Sequence, residues 1–180
     1  MAGDERILMI SASFTPMDDI SRHERNVRGF LAKRPFSRNG LSDREIGLFC
    51  AALTHDSYSD EATKLNPPRD VESYERLEFL GDAVVELLAC EQVFNDTDLR
   101  EGRMTDYKQE IVGNEKISDK VIAYGLDIDS VMLVGHGHRV PGGISVKMRA
   151  DAFEALIGAV YTLYGLDEAR RIVKEVLFVR

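Results

Sequence analysis

The stretch from 74 to 94 constrains the fold of this chain more than any other feature. Its apolar residues recur at the spacing of one face of an α-helix, namely Leu77, Leu80, Val84, Leu87, Leu88 and Val93. This spacing predicts a long helix, which we expect to be the central one. No convincing alternation of apolar and polar residues occurs elsewhere, so the sequence predicts an all-α fold.

A glycine stands inside this predicted helix. Gly81 costs about 1 kcal/mol relative to alanine at such a position, which indicates that another backbone approaches closely. Gly158 lies on a later apolar helix, seven residues after Asp151. It is either the matching small residue at that approach or a residue required for packing alone.

Acidic residues are concentrated on the same helix. Glu75, Glu78 and Asp82 are spaced i, i+3 and i+7, so they lie within about 60° of arc on one helix face. Asp151 and Glu154 repeat the i, i+3 spacing. Neighbouring carboxylates repel one another and resist burial unless they are protonated, paired with bases or bound to a cation. Oxygen ligands favour Mg²⁺ or Mn²⁺ over zinc. The alternative is that these acids form the solvated faces of two amphipathic helices.

The rest of the chain reads as further helices and loops. Capping boxes at Ser21 and Ser42 predict two helix starts. We expect a loop at 59–73, a helix at about 104–116, a shorter one ending at Gly125, and an irregular segment at 126–145. Helical spacing resumes near Ala152, stops at Gly165 and restarts after Asp167. Residues 1–20 are interpreted as a weakly determined arm, and 21–180 as a single domain.

Composition limits the classes of protein. The net charge of −8 is opposite to that of most nucleic-acid-binding proteins, unless cations bound to clustered acids reverse the local potential. The apolar stretches are much shorter than the roughly 20 residues of a membrane span. The two cysteines, Cys50 and Cys90, are interpreted as reduced core residues of a cytoplasmic protein.

Several segments together resemble a known family. The sequence Glu75-Arg76-Leu77-Glu78-Phe79-Leu80-Gly81-Asp82 resembles the signature motif of ribonuclease III. The segments 52–58, 101–105, 112–115 and 150–159 also match that family in order. The resemblance covers about residues 42 to 178 and implies an all-α ribonuclease III endonuclease-like helical domain.

The resemblance also implies roles for individual residues. The family's metal-binding acids match Glu78, Asp82, Asp151 and Glu154, and Asp82 and Glu154 are also expected to act in catalysis. Glu75 and Glu101 match family acids with supporting roles near the cleavage site. Phe79 matches an aromatic residue that plugs into a pocket of the partner subunit.

The implied activity is hydrolysis of double-stranded RNA by a homodimer, with Mg²⁺ as cofactor and Mn²⁺ as its substitute. Products would carry 5′-phosphate and 3′-hydroxyl ends. The sequence departs from the family pattern in two places. Tyr74 stands where asparagine is usual, and the segment 146–149, just before Ala150 and Asp151, contains two basic residues where the family is usually apolar. The 180 residues stop where bacterial members usually continue into a double-stranded-RNA-binding domain. The chain is either a naturally short member or part of a longer one, and a separate RNA-binding partner is one expectation.

Two other interpretations remain open. His55-Asp56 is the dipeptide of HD phosphohydrolases, although a structural histidine is the simpler explanation. A catalytically silent binding or scaffold domain is the third interpretation. Basic residues near the acidic motifs are candidates for contacting RNA phosphates, namely Arg100, Arg103, Lys108, Lys147 and Arg149.

Overall fold

The computed structural model describes residues 16–96, 98–138 and 143–178, so most of the predicted arm lies outside the described residues. In this part of the chain the protein is all-α, as predicted, and contains no strand beyond one isolated bridge between Thr54 and Leu133. The helices are α1 Pro16–Leu31, α2 Asp43–Ala52, α3 Asp56–Thr63, α4 Glu75–Asp96, α5 Glu101–Val112, α6 Asn114–Tyr124, α7 Ile128–Val131, α8 Val146–Tyr164 and α9 Leu166–Leu177.

The predicted capping boxes have different outcomes. Ser42 caps α2 as expected: its hydroxyl accepts the backbone N–H of Glu45, whose carboxylate accepts the backbone N–H of Ser42 in return. The prediction at Ser21 is wrong, because α1 already begins at Pro16. Proline suits the first turn of a helix, where its missing N–H would have no intrahelical partner.

Two further boundaries differ from the prediction. Residues 59–63 belong to α3 rather than to a loop, because the side chain of His55 accepts the backbone N–H of Ser57 and starts a helix there. The predicted helix over 104–116 is interrupted at Gly113, whose extended backbone separates α5 from α6. The predicted stop at Gly125 is confirmed, since this residue has the left-handed conformation of a helix C-cap.

The most buried helix is α8, which packs against the helix α4 that the sequence predicted to be central. Every residue from Arg149 to Val160 is buried, because α8 packs against α4, α6, α9 and α2. The helix α4 keeps an exposed face that includes Phe79 and Leu87. Cys90 is also exposed on α4, so its predicted place in the core is wrong, whereas Cys50 is partly buried.

The contact between α4 and α8 is the most extensive in the described fold. A Cβ atom built on Gly81 would lie 1.8 Å from the carbonyl oxygen of Glu154, and one built on Gly158 would lie 2.2 Å from that of Leu77. Both helices therefore need glycine where their backbones cross. This confirms the close approach expected from Gly81 and identifies Gly158 as its partner.

Among the residues that the structure describes, no helix has the length and apolar character that crossing a membrane requires.

Candidate metal centre

The helix crossing brings together acids that are far apart in sequence. Glu78 precedes Gly81 by one turn of α4, and Glu154 precedes Gly158 by one turn of α8. One carboxylate oxygen from each of Glu78, Asp151 and Glu154 lies within 4.8 Å of the others. Asp151 and Glu154 are buried and Glu78 is half-buried, so the described structure contains a mostly buried three-carboxylate cluster.

Asp82 and Glu75 lie at the edge of this cluster. Both are exposed on α4 and line the same cavity of about 480 Å³ as the three clustered acids. Asp82 is near enough to contribute to the raised pKa of Glu154. Three of the four expected metal ligands therefore form the close group, and the fourth, Asp82, lies beside it.

Glu101 lies elsewhere in the chain. It begins α5 and lines a separate cavity of about 450 Å³ beside the second half of α4, together with Leu87 and Phe94. From Glu78 to Phe94 the helix advances roughly 24 Å at 1.5 Å per residue. Glu101 therefore does not join the cluster within one chain, and its supporting role stays a prediction.

The cluster contains more negative charge than nearby bases offset. Burial, followed by the repulsion of Asp82, raises the pKa of Glu154 to about 8. Burial, followed by repulsion from Asp151, also raises the pKa of Glu78. Buried oxygen donors with uncompensated charge suit a hard divalent cation, so the residues present fit the metal that the sequence implies.

Two donors engage Asp151. The Lys147 ammonium donates to Asp151 Oδ2 at 2.6 Å and lies 3.8 Å from Glu78 Oε1. The Tyr74 hydroxyl donates to the same Oδ2 at 3.2 Å. The sequence marked both positions as departures from the family pattern but did not predict either contact. The i, i+4 spacing of Lys147 and Asp151 is a signal that could have revealed the first contact.

The other basic candidates have different surroundings. Arg149 is buried and donates two hydrogen bonds to Asp129, so its proposed contact with RNA is wrong. Lys108 pairs with Glu86. Arg100 and Arg103 are exposed, and their contact with phosphate stays a prediction.

His55 and Asp56 do not belong to the carboxylate cluster. The His55 ring caps α3, and its Nδ1 lies 2.6 Å from Asp56 Oδ1. Neither residue belongs to the group of possible metal ligands found among the described residues. This arrangement supports a structural histidine and gives no support to an HD-type centre.

An apolar surface remains exposed along α4. The side chain of Phe79 is 82% exposed and that of Phe94 is 73% exposed. The cavity beside Phe94 is lined mainly by apolar atoms, including those of Leu87 and Met104. Large exposed aromatic side chains of this kind indicate an interaction surface.

These observations define a class: an all-α domain whose two principal helices cross at paired glycines and hold a buried carboxylate cluster between them. Comparison with known proteins narrows this class. The family model described as Ribonuclease-III-like matches residues 45–180. This chain therefore belongs to the ribonuclease III-like family, which removes the HD phosphohydrolase interpretation.

Individual relatives agree with this assignment. The chain is 32% identical over 142 residues to ribonuclease 3 of Onion yellows phytoplasma (strain OY-M), covering 79% of this chain and 57% of that protein. It is 36% identical over 132 residues to ribonuclease 3 of Bifidobacterium longum (strain NCC 2705), covering 72% and 52%. The chain thus spans about half the length of these curated relatives.

A solved structure has a similar fold. The nuclease domain of ribonuclease III from Campylobacter jejuni superposes with a TM-score of 0.63 at 23% sequence identity, covering 89% of this chain and 99% of that one. At this identity the likeness establishes the helical fold alone.

Proposed function

We propose that this chain is the catalytic domain of a metal-dependent endoribonuclease that hydrolyses double-stranded RNA. The observation that carries the proposal is the convergence of Glu78, Asp151 and Glu154 at the crossing of α4 and α8. The family assignment supports the same reaction. The proposed products carry 5′-phosphate and 3′-hydroxyl ends. A cytoplasmic location stays a prediction from the sequence.

The proposed metal ligands are Glu78, Asp82, Asp151 and Glu154, with Mg²⁺ as the expected cation and Mn²⁺ as its substitute. When bound, such cations polarise a phosphate, lower the pKa of water and stabilise the leaving oxygen. The chain itself supplies the oxygen donors and fixes them on two rigid helices. It therefore needs no nucleophilic side chain.

Individual residues then have distinct tasks. Without metal, Glu154 holds a proton near neutral pH, because its pKa is raised to about 8. The Lys147 side chain is 67% exposed, so its ammonium can leave Asp151 and meet an incoming phosphate. Glu75, at the exposed rim of the cavity, is proposed to orient groups near the scissile bond.

The exposed surface of α4 supports a homodimer. In an isologous pair, Phe79 of each subunit would enter an apolar pocket of the other, and the cavity beside Phe94 is a candidate for that pocket. The comparison structure from Campylobacter jejuni is described as having a region involved in dimer formation. Two subunits would provide two centres at a fixed separation, one for each RNA strand. In such a dimer Glu101 is proposed to act beside a cleavage site.

Cleavage of a long RNA duplex with and without Mg²⁺ tests the proposal. We expect cleavage only with the metal, and none by Glu154→Ala, because that change removes a buried oxygen donor. Glu72→Ala is the matched control, since Glu72 is an exposed acid outside the cavity.

The outcomes separate the candidate functions. Circular dichroism checks that both variants remain folded. Unchanged cleavage in excess chelator, or by Glu154→Ala, would contradict the metal mechanism. A folded wild type that binds duplex without cutting it would instead support a silent binding domain. Cleavage that requires an added RNA-binding protein would identify the separate partner.

A further inference from the structure

Tyr74 occupies the boundary between the loop before α4 and the carboxylate cluster. Its side chain is 5% exposed, and its hydroxyl donates to Asp151 Oδ2 at 3.2 Å across 77 residues of sequence. We infer that Tyr74 is a positioning residue that holds the Asp151 carboxylate in the orientation required to bind the divalent cation. This inference rests on the proposed metal site.

Three contacts fix the position of the Tyr74 ring and backbone. Its backbone N–H donates to the carbonyl oxygen of Thr54 at 2.9 Å. Its own carbonyl oxygen accepts the N–H of Glu78 at 2.8 Å and so begins α4. The ring meets the ring of His55 edge to face, with 5.4 Å between centroids. The hydroxyl is therefore presented to Asp151 from a rigid base.

Lys147 donates to the same oxygen but cannot have the same role. Its side chain is 67% exposed, whereas the Tyr74 side chain is buried. An ammonium group and a divalent cation repel each other, so arrival of the cation weakens the contact between Lys147 and Asp151. The phenol is neutral and experiences no such repulsion, so Tyr74 is the donor that remains when the site is loaded.

The hydrogen bond from the Tyr74 hydroxyl can orient the Asp151 carboxylate as a metal ligand. A carboxylate ligand is oriented by the hydrogen bonds that it accepts, and removal of such an outer partner typically weakens metal binding about 10- to 100-fold. Both donors hydrogen-bond to Oδ2 of Asp151 rather than to Oδ1. A phenol at this position therefore selects one rotation of the Asp151 carboxylate.

Tyr74→Phe tests the inference, because it removes the hydroxyl and keeps the ring that packs on His55. We expect its Mn²⁺ affinity, measured by calorimetric titration, to fall about 10- to 100-fold, while the melting temperature of the metal-free protein changes little. Tyr161→Phe is the control, since Tyr161 is an exposed tyrosine on α8. We expect it to bind Mn²⁺ like the wild type.

Two further measurements separate positioning from a general loss of structure. The rate of duplex cleavage by Tyr74→Phe should recover at high Mg²⁺, because excess metal compensates for weak binding. The chain has no tryptophan and six tyrosines, so the long-wavelength part of its near-ultraviolet absorption, where phenylalanine does not absorb, reports tyrosine. Mg²⁺ should perturb this absorption in the wild type and in Tyr161→Phe but much less in Tyr74→Phe.

The possible results are distinguishable. Mn²⁺ affinity of Tyr74→Phe within twofold of the wild type would overturn the inference and leave the proposed nuclease function intact. An unperturbed wild-type tyrosine spectrum at saturating Mg²⁺ would overturn it even if the variant did not fold. A wild type that binds no Mn²⁺ and cuts no duplex would overturn both the inference and the proposed function.

Discussion

Replacing Gly81 by alanine tests whether the crossing of α4 and α8 builds the carboxylate cluster. The added Cβ atom would lie 1.8 Å from the carbonyl oxygen of Glu154, and contacts under 3.0 Å essentially never occur for real Cβ atoms. The two backbones must therefore separate locally by at least 1.2 Å, the difference between these distances. Such a movement displaces Glu78 relative to Asp151 and Glu154.

The energetic cost follows from two opposing effects. Overpacking a well-packed site costs about 1–3 kcal/mol, and the upper end applies because the clashing oxygen belongs to the backbone. Alanine returns about 1 kcal/mol through its higher helix propensity. The expected net loss is about 2 kcal/mol, which lowers the melting temperature by about 4–8 °C for a chain of this size.

The assay is thermal denaturation followed by circular dichroism, with Mn²⁺ titration of the folded protein. We expect Gly81→Ala to melt lower and to bind Mn²⁺ more weakly than the wild type. Gly47→Ala is the matched control, because it makes the same change inside α2 with nothing within 4 Å of the added Cβ. It should be as stable as the wild type or up to about 1 kcal/mol more stable. Equal melting temperatures for the two variants would refute the reasoning.

Four further outcomes are expected. Because the pKa of Glu154 is raised from 4.5 to about 8, the metal-free fold loses stability as pH rises from about 4.5 to 8. Chemical denaturation should show this slope, and Glu154→Gln should make it shallower, leaving the part that comes from the raised pKa of Glu78. Phe79→Ala should favour monomers in sedimentation velocity, since it loses about 1.5–3 kcal/mol of apolar burial per subunit; a wild-type monomer at micromolar concentration would reject the dimer. Asp129→Asn should lower the free energy of unfolding by about 3 kcal/mol, because it leaves the buried Arg149 guanidinium without its charge partner. Arg34→Ala, at an ion pair exposed to solvent, should leave the free energy of unfolding nearly unchanged. Duplex binding by the isolated chain should be weak and should fall steeply with salt in a filter-binding titration, and tight binding at physiological salt would contradict this.

Local patterns determined most of the helices. The period of the apolar residues in 74–94 is a property of neighbouring turns, so it predicted α4 to within two residues at either end. The Ser42 cap and the stop at Gly125 are also local, since each involves hydrogen bonds within a few residues. The start of α1 was missed because Ser21 and Glu24 have the spacing of a capping box yet lie inside the helix.

The sequence also determined which acids share a helix face and that α4 needs a close neighbour at Gly81, because both follow from the geometry of a single helix. Only the tertiary structure decided how the two helices meet. The crossing places Glu78, Asp151 and Glu154 in one group, leaves Asp82 at its edge and keeps Glu101 beside another part of α4. It also brings the Tyr74 hydroxyl to Asp151. Such contacts depend on the relative rotation and separation of two helices. Side chains that are distant in sequence set both quantities when they pack, so the residue spacing along either helix alone does not predict them.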